Sequence, residues 1–356
     1  MNSALENIYK HFNIDDKIVD IYAFGSGHIH DTFKAIGQKN NYILQRINQH
    51  VFKDVDGLTQ NIVKVSDYLF KKGLPAPMQH LTPVPLIGLG YVYFGTERHA
   101  WRMFNFIEGS KTFDKVSNRE IALEGGKAYG SFLKALRGFP ATHLVETIPG
   151  FHDIGFRLNQ FLKAIENDVC YRIEFVPKEI ELIFDRAEEM RKLEPLIRKG
   201  LIPRRVTHND TKVNNLLFDE NDRAICVIDL DTLMPGYAIF DFGDAIRTFA
   251  NLGEEDDKKL NKVGLSMENY AAFTQGFLDE TKSMLTNDEL ANLAFAAKYI
   301  TYEQSLRFLI DYIEGDRYYK VSYPEHNLVR ARAQMKLLKS MEDHFDEMHR
   351  LVRAFS

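Results

Sequence analysis

A polar loop between two apolar runs constrains the fold of this 356-residue chain more than any other stretch. The loop lies within Val206-Thr-His-Asn-Asp-Thr-Lys-Val-Asn-Asn-Leu-Leu-Phe218, and a polar turn at 219–222 leads into Ala224-Ile-Cys-Val-Ile-Asp-Leu-Asp231. Apolar residues on both sides of the loop and of the turn are typical of short paired strands. We expect this arrangement to hold Asp210, Asn215 and Asp229 around one small volume.

These three side chains are suited to phosphoryl transfer from a nucleotide. That reaction needs one carboxylate to accept a hydroxyl proton, and hard oxygen ligands for Mg²⁺. The spacing His-x-Asp-x-x-x-x-Asn also matches the catalytic-loop pattern of kinases, with Asn209 in place of the usual Arg. The alternative interpretation is a chance polar loop between strands, and the second Asp, one hairpin later, argues against it.

Length and composition indicate a globular chain that is large enough for two lobes and a sizeable core. The net charge of -5 argues against general affinity for nucleic acid. The two cysteines are far apart, so neither a disulfide scaffold nor a cysteine metal site is expected. No signal-peptide pattern and no apolar run of membrane-spanning length is visible, which predicts a cytoplasmic protein without a membrane partner.

The first hundred residues predict a small antiparallel sheet with one main helix. Strand patterns occur at 18–24, 31–36 and 42–47, a helical pattern at 56–72, and further strand patterns at 90–94 and 100–107. Glu108 and Gly109 form a natural hinge, after which helical patterns dominate. We therefore expect a nucleotide-binding lobe at 1–108 and a catalytic lobe at 109–356. Backbone groups of Asn105, Phe106 and Ile107 would bind adenine.

The turn between the first two strands, Gly25-Ser26-Gly27, is a candidate phosphate-binding loop. Glycines let backbone N–H groups approach phosphates closely. The third glycine of Gly-x-Gly-x-x-Gly is absent, however, so an ordinary hairpin turn is the alternative. His28 and His30 beside it could contact phosphate or substrate, or lie in solvent.

The third strand should carry a cation towards the nucleotide phosphates, yet it contains no lysine. Side-chain alternation puts Leu44 and Arg46 on one face of this strand, and Ile43 and Gln45 on the other. If the first pair faces the cleft, Arg46 replaces the lysine and Leu44 lines the adenine pocket. Gln45 is the rival candidate, and a solvent-exposed Arg46 is the remaining alternative.

The stretch Asp241-Phe-Gly243 resembles a kinase metal-binding motif but comes too late in the chain. Asp229, after the Asn-bearing hairpin, already fills that position. We predict that Asp241 instead braces the catalytic loop or caps a helix from Ala245 to Asn251.

In order, these motifs resemble the aminoglycoside phosphotransferase and choline kinase family of protein-kinase-like small-molecule kinases. The matching stretches are Gly25-Ser-Gly27, Tyr42-Ile-Leu-Gln-Arg46, Phe106-Ile-Glu-Gly109, His208-Asn-Asp-Thr-Lys-Val-Asn-Asn215 and Ile228-Asp-Leu-Asp231. Within that family the chain is most similar to the bacterial N-acetylhexosamine 1-kinases. Tyr323-Pro-Glu-His-Asn-Leu-Val-Arg330 carries this narrower similarity, because it lies outside the general kinase motifs.

The resemblance implies an α+β, protein-kinase-like fold with two lobes: a small antiparallel-sheet lobe and a larger, mostly helical one. It also implies an ATP- and Mg²⁺-dependent enzyme that phosphorylates the anomeric hydroxyl of N-acetylglucosamine or N-acetylgalactosamine. By the matching motifs, Asp210 would be the base, and Asn215 and Asp229 the magnesium ligands. The expected assembly is a monomer or a weak homodimer.

Four residues become sugar-binding candidates through the same resemblance. Asn209 and His28 would border the sugar, while Arg307 and Tyr318 match the sugar-site region of these kinases. Ordinary polar groups on a surface helix and loop are the alternative for the last two. Ser26 and the pair His30-Asp31 depart from the family pattern, which leaves the phosphate contacts and the sugar preference open.

Two other functions remain open from the sequence. The chain could phosphorylate another small alcohol, such as choline, homoserine or an aminoglycoside. It could also be a nucleotide-binding pseudokinase that only regulates a partner. The presence of Asp210, Asn215 and Asp229 together argues against the second, because a pseudokinase is free to lose them.

Overall fold

A five-stranded antiparallel sheet forms the first part of the chain in the computed structural model, which describes residues 3–25 and 29–356. Its elements are α1 (Ser3–Tyr9), β1 (Ile18–Ala23), β2 (Asp31–Gly37), β3 (Asn41–Arg46), α2 (Val55–Lys72), β4 (Tyr93–Phe94) and β5 (Ala100–Asn105). The strands lie in the order β1-β2-β3-β5-β4. The meander predicted from the first three strand patterns is therefore confirmed.

A mostly helical body follows the sheet. Its elements are α3 (Arg119–Ala135), α4 (Ile154–Asn167), α5 (Pro177–Met190), α6 (Glu194–Arg198), β6 (Arg205–Thr207), β7 (Leu216–Phe218), β8 (Ala224–Val227), β9 (Met234–Gly236), α7 (Ala238–Phe249), α8 (Met267–Thr281), α9 (Asn287–Ile313), α10 (His326–Asp343) and α11 (Phe345–Phe355). The short strands form two antiparallel pairs, β6 with β9 and β7 with β8. These pairs frame the polar loop at 208–215 and end near Asp229.

Apolar residues cover both faces of the sheet, and this decides which way β3 points. Tyr42 and Leu44 are buried in a cluster with Leu5, Tyr9 and Phe12 from the N-terminal segment. The opposite face of the sheet, with Phe104, joins the large core of the helical body. Successive side chains of a strand alternate between its two faces. Because Tyr42 and Leu44 are buried on one face, Ile43 and Gln45 lie on the face that meets the helical body.

Helix α2 is fastened to the helical body by one buried amide. Asn61, 1% exposed, donates to the carbonyls of Val145 (2.8 Å) and Leu233 (3.0 Å) and accepts from the amide of Val145 (3.0 Å). The helix is capped by Asp54, which accepts the Gly57 amide. Gly73 follows its last residue and forms the C-terminal cap. Helix α2 thus takes its position from contacts beyond the sheet.

Helix α9 is the central helix of the body and carries several site residues. It runs for 27 residues and packs against α4, α5, α7, α10 and α11. A capping box of Thr286 and Glu289 fixes its first turn. No helix in the described part of the chain is long and apolar enough to cross a membrane.

Replacing Asn61 with leucine should destabilise the protein strongly. The substitution removes the partner of one buried backbone group, the Leu233 carbonyl, and of two part-buried ones, the Val145 amide and carbonyl. A buried group left unpaired costs about 1–3 kcal/mol. Chemical denaturation would measure the loss in the free energy of unfolding. Lys64→Ala is the matched control, because Lys64 on the same helix bonds the His143 carbonyl at the surface. A control loss as large as that of Asn61→Leu would contradict this account.

Candidate active site

The loop at 208–215 is held in shape by two buried side chains. His208 accepts the Asp210 amide at Nδ1 (3.2 Å), so its Nε2 carries the proton and donates to the Ile228 carbonyl (2.8 Å). Asp241 accepts the amides of His208 (2.9 Å) and Asn209 (2.8 Å). The prediction that Asp241 braces the catalytic loop is confirmed. The helix that carries it, α7, begins at Ala238, earlier than predicted.

Burial dominates the electrostatics of Asp241. It raises the pKa of Asp241 to about 6, although His208 and the two amide hydrogen bonds act in the opposite direction. The carboxylate therefore sits in a low-dielectric position where its two amide bonds are strong.

Asp210 lies at the centre of this loop with its carboxylate partly exposed. Asn215 Nδ2 donates to both the Asp210 carbonyl (2.8 Å) and its Oδ2 (3.0 Å), and Lys212 Nζ lies 3.1 Å from Oδ2. Burial raises the pKa of Asp210, but the charge of Lys212 and its hydrogen bond to the carboxylate act in the opposite direction, and the pKa is held below its ordinary value. Asp210 is thus an ionised, oriented acceptor at neutral pH.

Asp229 follows β8 and faces the same region from the other side. The Ile228 amide donates to the Asn215 carbonyl (2.9 Å), which brings the residues after β8 beside the catalytic loop. Asp229 has a left-handed backbone (φ 57°), a strained geometry for a residue with a Cβ. Burial raises its pKa, and the nearby carboxylates of Asp231 and Asp210 raise it further.

A cavity of about 490 Å³ runs from the sheet to Asp229. Its apolar wall includes Ile43, Phe104 and Leu217, and its far end carries Asn215 and Asp229. The predicted adenine-binding residues Asn105, Phe106 and Ile107 and the predicted phosphate-binding residue Gly25 all line it. Gly25 has φ 81°, a conformation that favours glycine. The other candidates in that turn, Ser26, Gly27 and His28, lie outside the described residues.

The expectation that Arg46 and Leu44 face this cavity is corrected by the structure. Leu44 is fully buried on the opposite face of the sheet, and Arg46 pairs there with Asp31. Side-chain alternation defines the two faces of β3 but not which one meets the cleft, and the N-terminal segment covers the face that carries Leu44. Gln45, the rival candidate, lines the cavity together with Ile43.

A buried cation that sequence reasoning missed, Arg102, also lines the cavity. Arg102 is the cross-strand partner of Gln45 and donates to it through Nε (3.0 Å). Its two terminal nitrogens both bond the carboxylate of Asp231, Nη2 at 2.7 Å. His30 donates to the same carboxylate from Nε2 (2.5 Å), because its Nδ1 accepts the Asn48 amide. Asp231 therefore connects the five-stranded sheet to the segment that follows the β7–β8 hairpin.

A second cavity, of about 570 Å³, lies on the other side of Asp210. Asp210 and Lys212 line it, and so do two of the predicted sugar-binding residues, Arg307 and Tyr318. The Arg307 guanidinium stacks over Phe151, 4.5 Å from the ring centroid. These side chains from the catalytic loop, from α9 and from the following loop thus meet in one cavity. The surface-residue alternative does not describe Arg307, whose side chain is 10% exposed.

Asn209 occupies a different position from the one expected of a sugar-binding residue. Its side-chain nitrogen donates to the carbonyls of Thr207 (3.1 Å) and Thr232 (2.9 Å), and its backbone is left-handed (φ 64°). Asn209 lines a third cavity and not the one that contains Asp210 and Arg307. Short side chains that bond the nearby backbone tolerate this conformation best, so Asn209 shapes the loop.

The stretch Tyr323–Arg330, which carries the narrower sequence similarity, supports the loop that precedes it. Asp311 accepts the amides of Arg317 (2.8 Å), Tyr318 (2.8 Å) and Tyr319 (2.9 Å). Asn327, inside the motif, donates to Asp311 (2.8 Å) and Asp316 (2.9 Å). The motif therefore supports the loop that lines the second cavity. Sequence spacing alone could not reveal Asp311, because its partners are backbone amides.

The described residues contain no group of three or more His, Cys, Asp or Glu side chains that could hold a metal ion by themselves. Asp229 and Asn215 nevertheless offer the hard oxygen donors that Mg²⁺ prefers. The pKa of Asp229 is raised because its carboxylate is buried and lies near the carboxylates of Asp231 and Asp210, so the negative charge here is poorly compensated. A divalent cation that also binds phosphate oxygens would fit this position.

Replacing Arg102 with methionine should destabilise the protein far more than the same change at Arg46. Breaking a buried ion pair costs about 3–5 kcal/mol, because it leaves a buried charge without its partner. An exposed pair such as Arg46–Asp31 contributes about 0–1 kcal/mol. Urea denaturation of both variants would measure the difference. Equal losses would contradict the assignment of Arg102 as the buried cation.

Comparison with solved structures gives the fold of the whole chain. An aminopropanol kinase associated with a microcompartment aligns with a TM-score of 0.62 and 15% identity, covering 98% of each chain. The choline kinase of Cryptosporidium parvum aligns at 0.64 and 12%, covering 100% of this chain and 99% of its own. An amicoumacin kinase in complex with AMP-PNP and Ca²⁺ aligns at 0.64 and 12%, covering 96% and 92%.

The predicted α+β, protein-kinase-like fold with a sheet lobe and a mostly helical lobe is confirmed by these similarities. A family model described as the phosphotransferase enzyme family, APH, matches residues 20–273. The match covers well over half of the sequence and includes all of the sheet except the first two residues of β1, as well as the catalytic loop and Asp229. The chain belongs to the phosphotransferase enzyme family.

Proposed function

We propose that this protein is an ATP- and Mg²⁺-dependent kinase that phosphorylates the anomeric 1-hydroxyl of N-acetylglucosamine or N-acetylgalactosamine. One observation carries the phosphoryl-transfer part of the proposal, and the sequence resemblance supports the sugar. Asp210 stands in the wall of a polar cavity, while Asn215, which bonds its carboxylate, stands in the wall of the adjoining apolar cavity. An acceptor in the polar cavity and a nucleotide in the apolar cavity would meet at the catalytic loop.

The nucleotide half of the proposal is supported by family membership and by one of the similar structures. The amicoumacin kinase of similar fold is a complex with an ATP analogue and a divalent cation. In this chain, Phe106 and Ile107 of the expected hinge line the apolar cavity, and Asn41 bonds Glu108 (2.7 Å) just before the proposed lobe boundary. Mg²⁺ bound by Asn215 and Asp229 would offset charge on the phosphate oxygens.

The charge of the acceptor cavity favours a neutral sugar over a cationic alcohol. Its walls carry six basic side chains, Lys212, Arg247, Arg307, Arg317, Lys320 and Arg330, against four acidic ones, Asp31, Asp210, Glu255 and Asp316. Choline and aminopropanol, the acceptors named for two similar structures, are cations at neutral pH. Such acceptors would meet unfavourable charge here, whereas sugar hydroxyl and acetamido groups can accept hydrogen bonds from Arg and Lys.

Asp210 supplies the chemistry that the chain itself must provide. Asn215 and Lys212 hold its carboxylate in one orientation, and it would align the sugar 1-hydroxyl with the terminal phosphate of ATP. A bond forms from the sugar oxygen to that phosphorus as the bond from phosphorus to the leaving ADP oxygen breaks. The hydroxyl proton passes to Asp210 and then to solvent. An anomeric hydroxyl is more acidic than an ordinary alcohol, so an ionised carboxylate of low pKa suffices.

Asp210→Asn should lower kcat by about 10²–10⁴-fold, the usual contribution of a positioned base. Its affinity for ADP, measured by calorimetry, should stay within a few fold of wild type, because Asp210 lies outside the apolar cavity. Asp219→Asn is the control, since Asp219 is a carboxylate in the turn after β7 that bonds only its own turn. Wild-type turnover by Asp210→Asn would show that the base is another residue.

An acceptor panel tests the substrate. ADP release would be followed with ATP and Mg²⁺, and NMR would locate the phosphate on each product. We expect 1-phosphates from N-acetylglucosamine or N-acetylgalactosamine, little turnover of choline or an aminoglycoside, and loss of turnover with EDTA that added Mg²⁺ restores. Turnover of another alcohol would keep the kinase assignment and reject the sugar. ADP binding without turnover of any acceptor would favour the pseudokinase.

A further inference from the structure

A fully buried carboxylate lies directly behind the acceptor cavity. Glu303 on α9 is 0% exposed and lies one turn before Arg307. Its Oε1 is 3.4 Å from Arg157 Nε and 3.6 Å from Arg307 Nε, and its Oε2 is 3.4 Å from His152 Nδ1. Three basic side chains, from α4, from α9 and from the segment before α4, therefore converge on one carboxylate.

His152 continues this network to the catalytic loop. Its Nε2 lies 3.2 Å from the carbonyl oxygen of Asn209, the residue that precedes Asp210. A carbonyl only accepts hydrogen bonds, so Nε2 carries a proton. Its Nδ1 faces the Glu303 carboxylate at 3.4 Å, so His152 lies between Glu303 and the catalytic loop. Burial raises the pKa of Glu303, but Arg307, His152 and Arg157 outweigh it and hold the pKa below its ordinary value.

The contacts around Glu303 are long for groups of opposite charge. Charge-assisted hydrogen bonds are usually about 2.7–2.9 Å long, whereas these distances are 3.4 to 3.6 Å. Oε1 of Glu303 is buried and has no hydrogen-bond partner within residues 3–25 and 29–356. Hydrogen bonds at catalytic sites are often long without substrate and tighten in the Michaelis complex. The network therefore has room to tighten when Arg307 shifts.

We propose that Glu303 and His152 are positioning residues that couple occupancy of the acceptor cavity at Arg307 to the placement of Asp210. The inference rests on the proposed function to the extent that Arg307 contacts the acceptor. An acceptor bound at Arg307 fixes the guanidinium, and Glu303 closes on it and on His152. His152 then fixes the Asn209 carbonyl, and with it the backbone that presents Asp210 to the acceptor hydroxyl.

A triple-mutant cycle tests the coupling in the full-length protein. The substitutions are Arg307→Lys, His152→Gln and Glu303→Gln, made singly and in all combinations, with kcat, the acceptor KM and the Kd of ADP measured for each. Arg307 and His152 should be coupled in kcat by about 3- to 30-fold, within the usual range of site-to-site coupling. The coupling should vanish when Glu303 is replaced. The Kd of ADP should stay unchanged throughout.

Glu289→Gln is the matched control. Glu289 lies on the same helix, is also 0% exposed and also pairs with an arginine, Arg205 (2.7 Å). It is 14 residues from Glu303, or about 21 Å along a helix that rises 1.5 Å per residue. We expect Glu289→Gln to lower the melting temperature as Glu303→Gln does, and to leave the coupling between Arg307 and His152 intact. A purely structural role for Glu303 predicts the same result for both variants.

Additive effects of Arg307→Lys and His152→Gln in the presence of Glu303 would overturn the proposal, and this arm remains decisive if Glu303→Gln does not fold. A wild-type protein that phosphorylates a different alcohol would reject only the proposed sugar, since the same cycle on that alcohol tests the coupling. A wild-type protein that turns over no acceptor would reject both the proposed function and the coupling.

Discussion

The ion pair between Arg102 and Asp231 is the interaction on which the geometry of the site depends. It joins the fourth strand in the order of the sheet to the segment that follows β8, across 129 residues of sequence. Asp231 is 2% exposed and also receives His30, which follows the glycine turn. This ion pair therefore fixes the position of the cavity of about 490 Å³ relative to the β7–β8 hairpin.

Asp229 and Asp231 are only two residues apart, but different neighbouring side chains give them different roles. Arg102 and His30 outweigh the effect of burial and hold the pKa of Asp231 far below its ordinary value. The pKa of Asp229 is raised by burial, by Asp231 and by Asp210. The negative charge of Asp231 is thus compensated by basic side chains within the protein, whereas the negative charge of Asp229 is not fully compensated. The pattern Asp-Leu-Asp therefore combines a structural anchor with a prospective metal ligand.

The sequence was sufficient for features that depend on local pattern. Strand alternation, turn residues and helical spacing predicted the meander and α2, and motif spacing brought Asp210, Asn215 and Asp229 to one loop region. It failed for Arg46 because alternation defines two faces of a strand without saying which one meets the cleft. It missed Arg102 because its partner Asp231 is distant in sequence. The prediction that Asn209 borders the sugar failed because the left-handed backbone of Asn209 directs its side chain to the carbonyls of Thr207 and Thr232.

Under the proposed function, in which the second cavity binds the acceptor, the contacts of Asp311 with the loop after α9 bear on how readily the acceptor preference can change. Asp311 binds the main chain of Arg317, Tyr318 and Tyr319 and so fixes their path without reference to their side chains. Other residues at these positions would keep the same course as long as Asp311 and Asn327 remain. The loop is therefore an evolvable module. Its side chains can be exchanged to suit a new acceptor while the catalytic loop, held by Asp241 and His208, stays undisturbed.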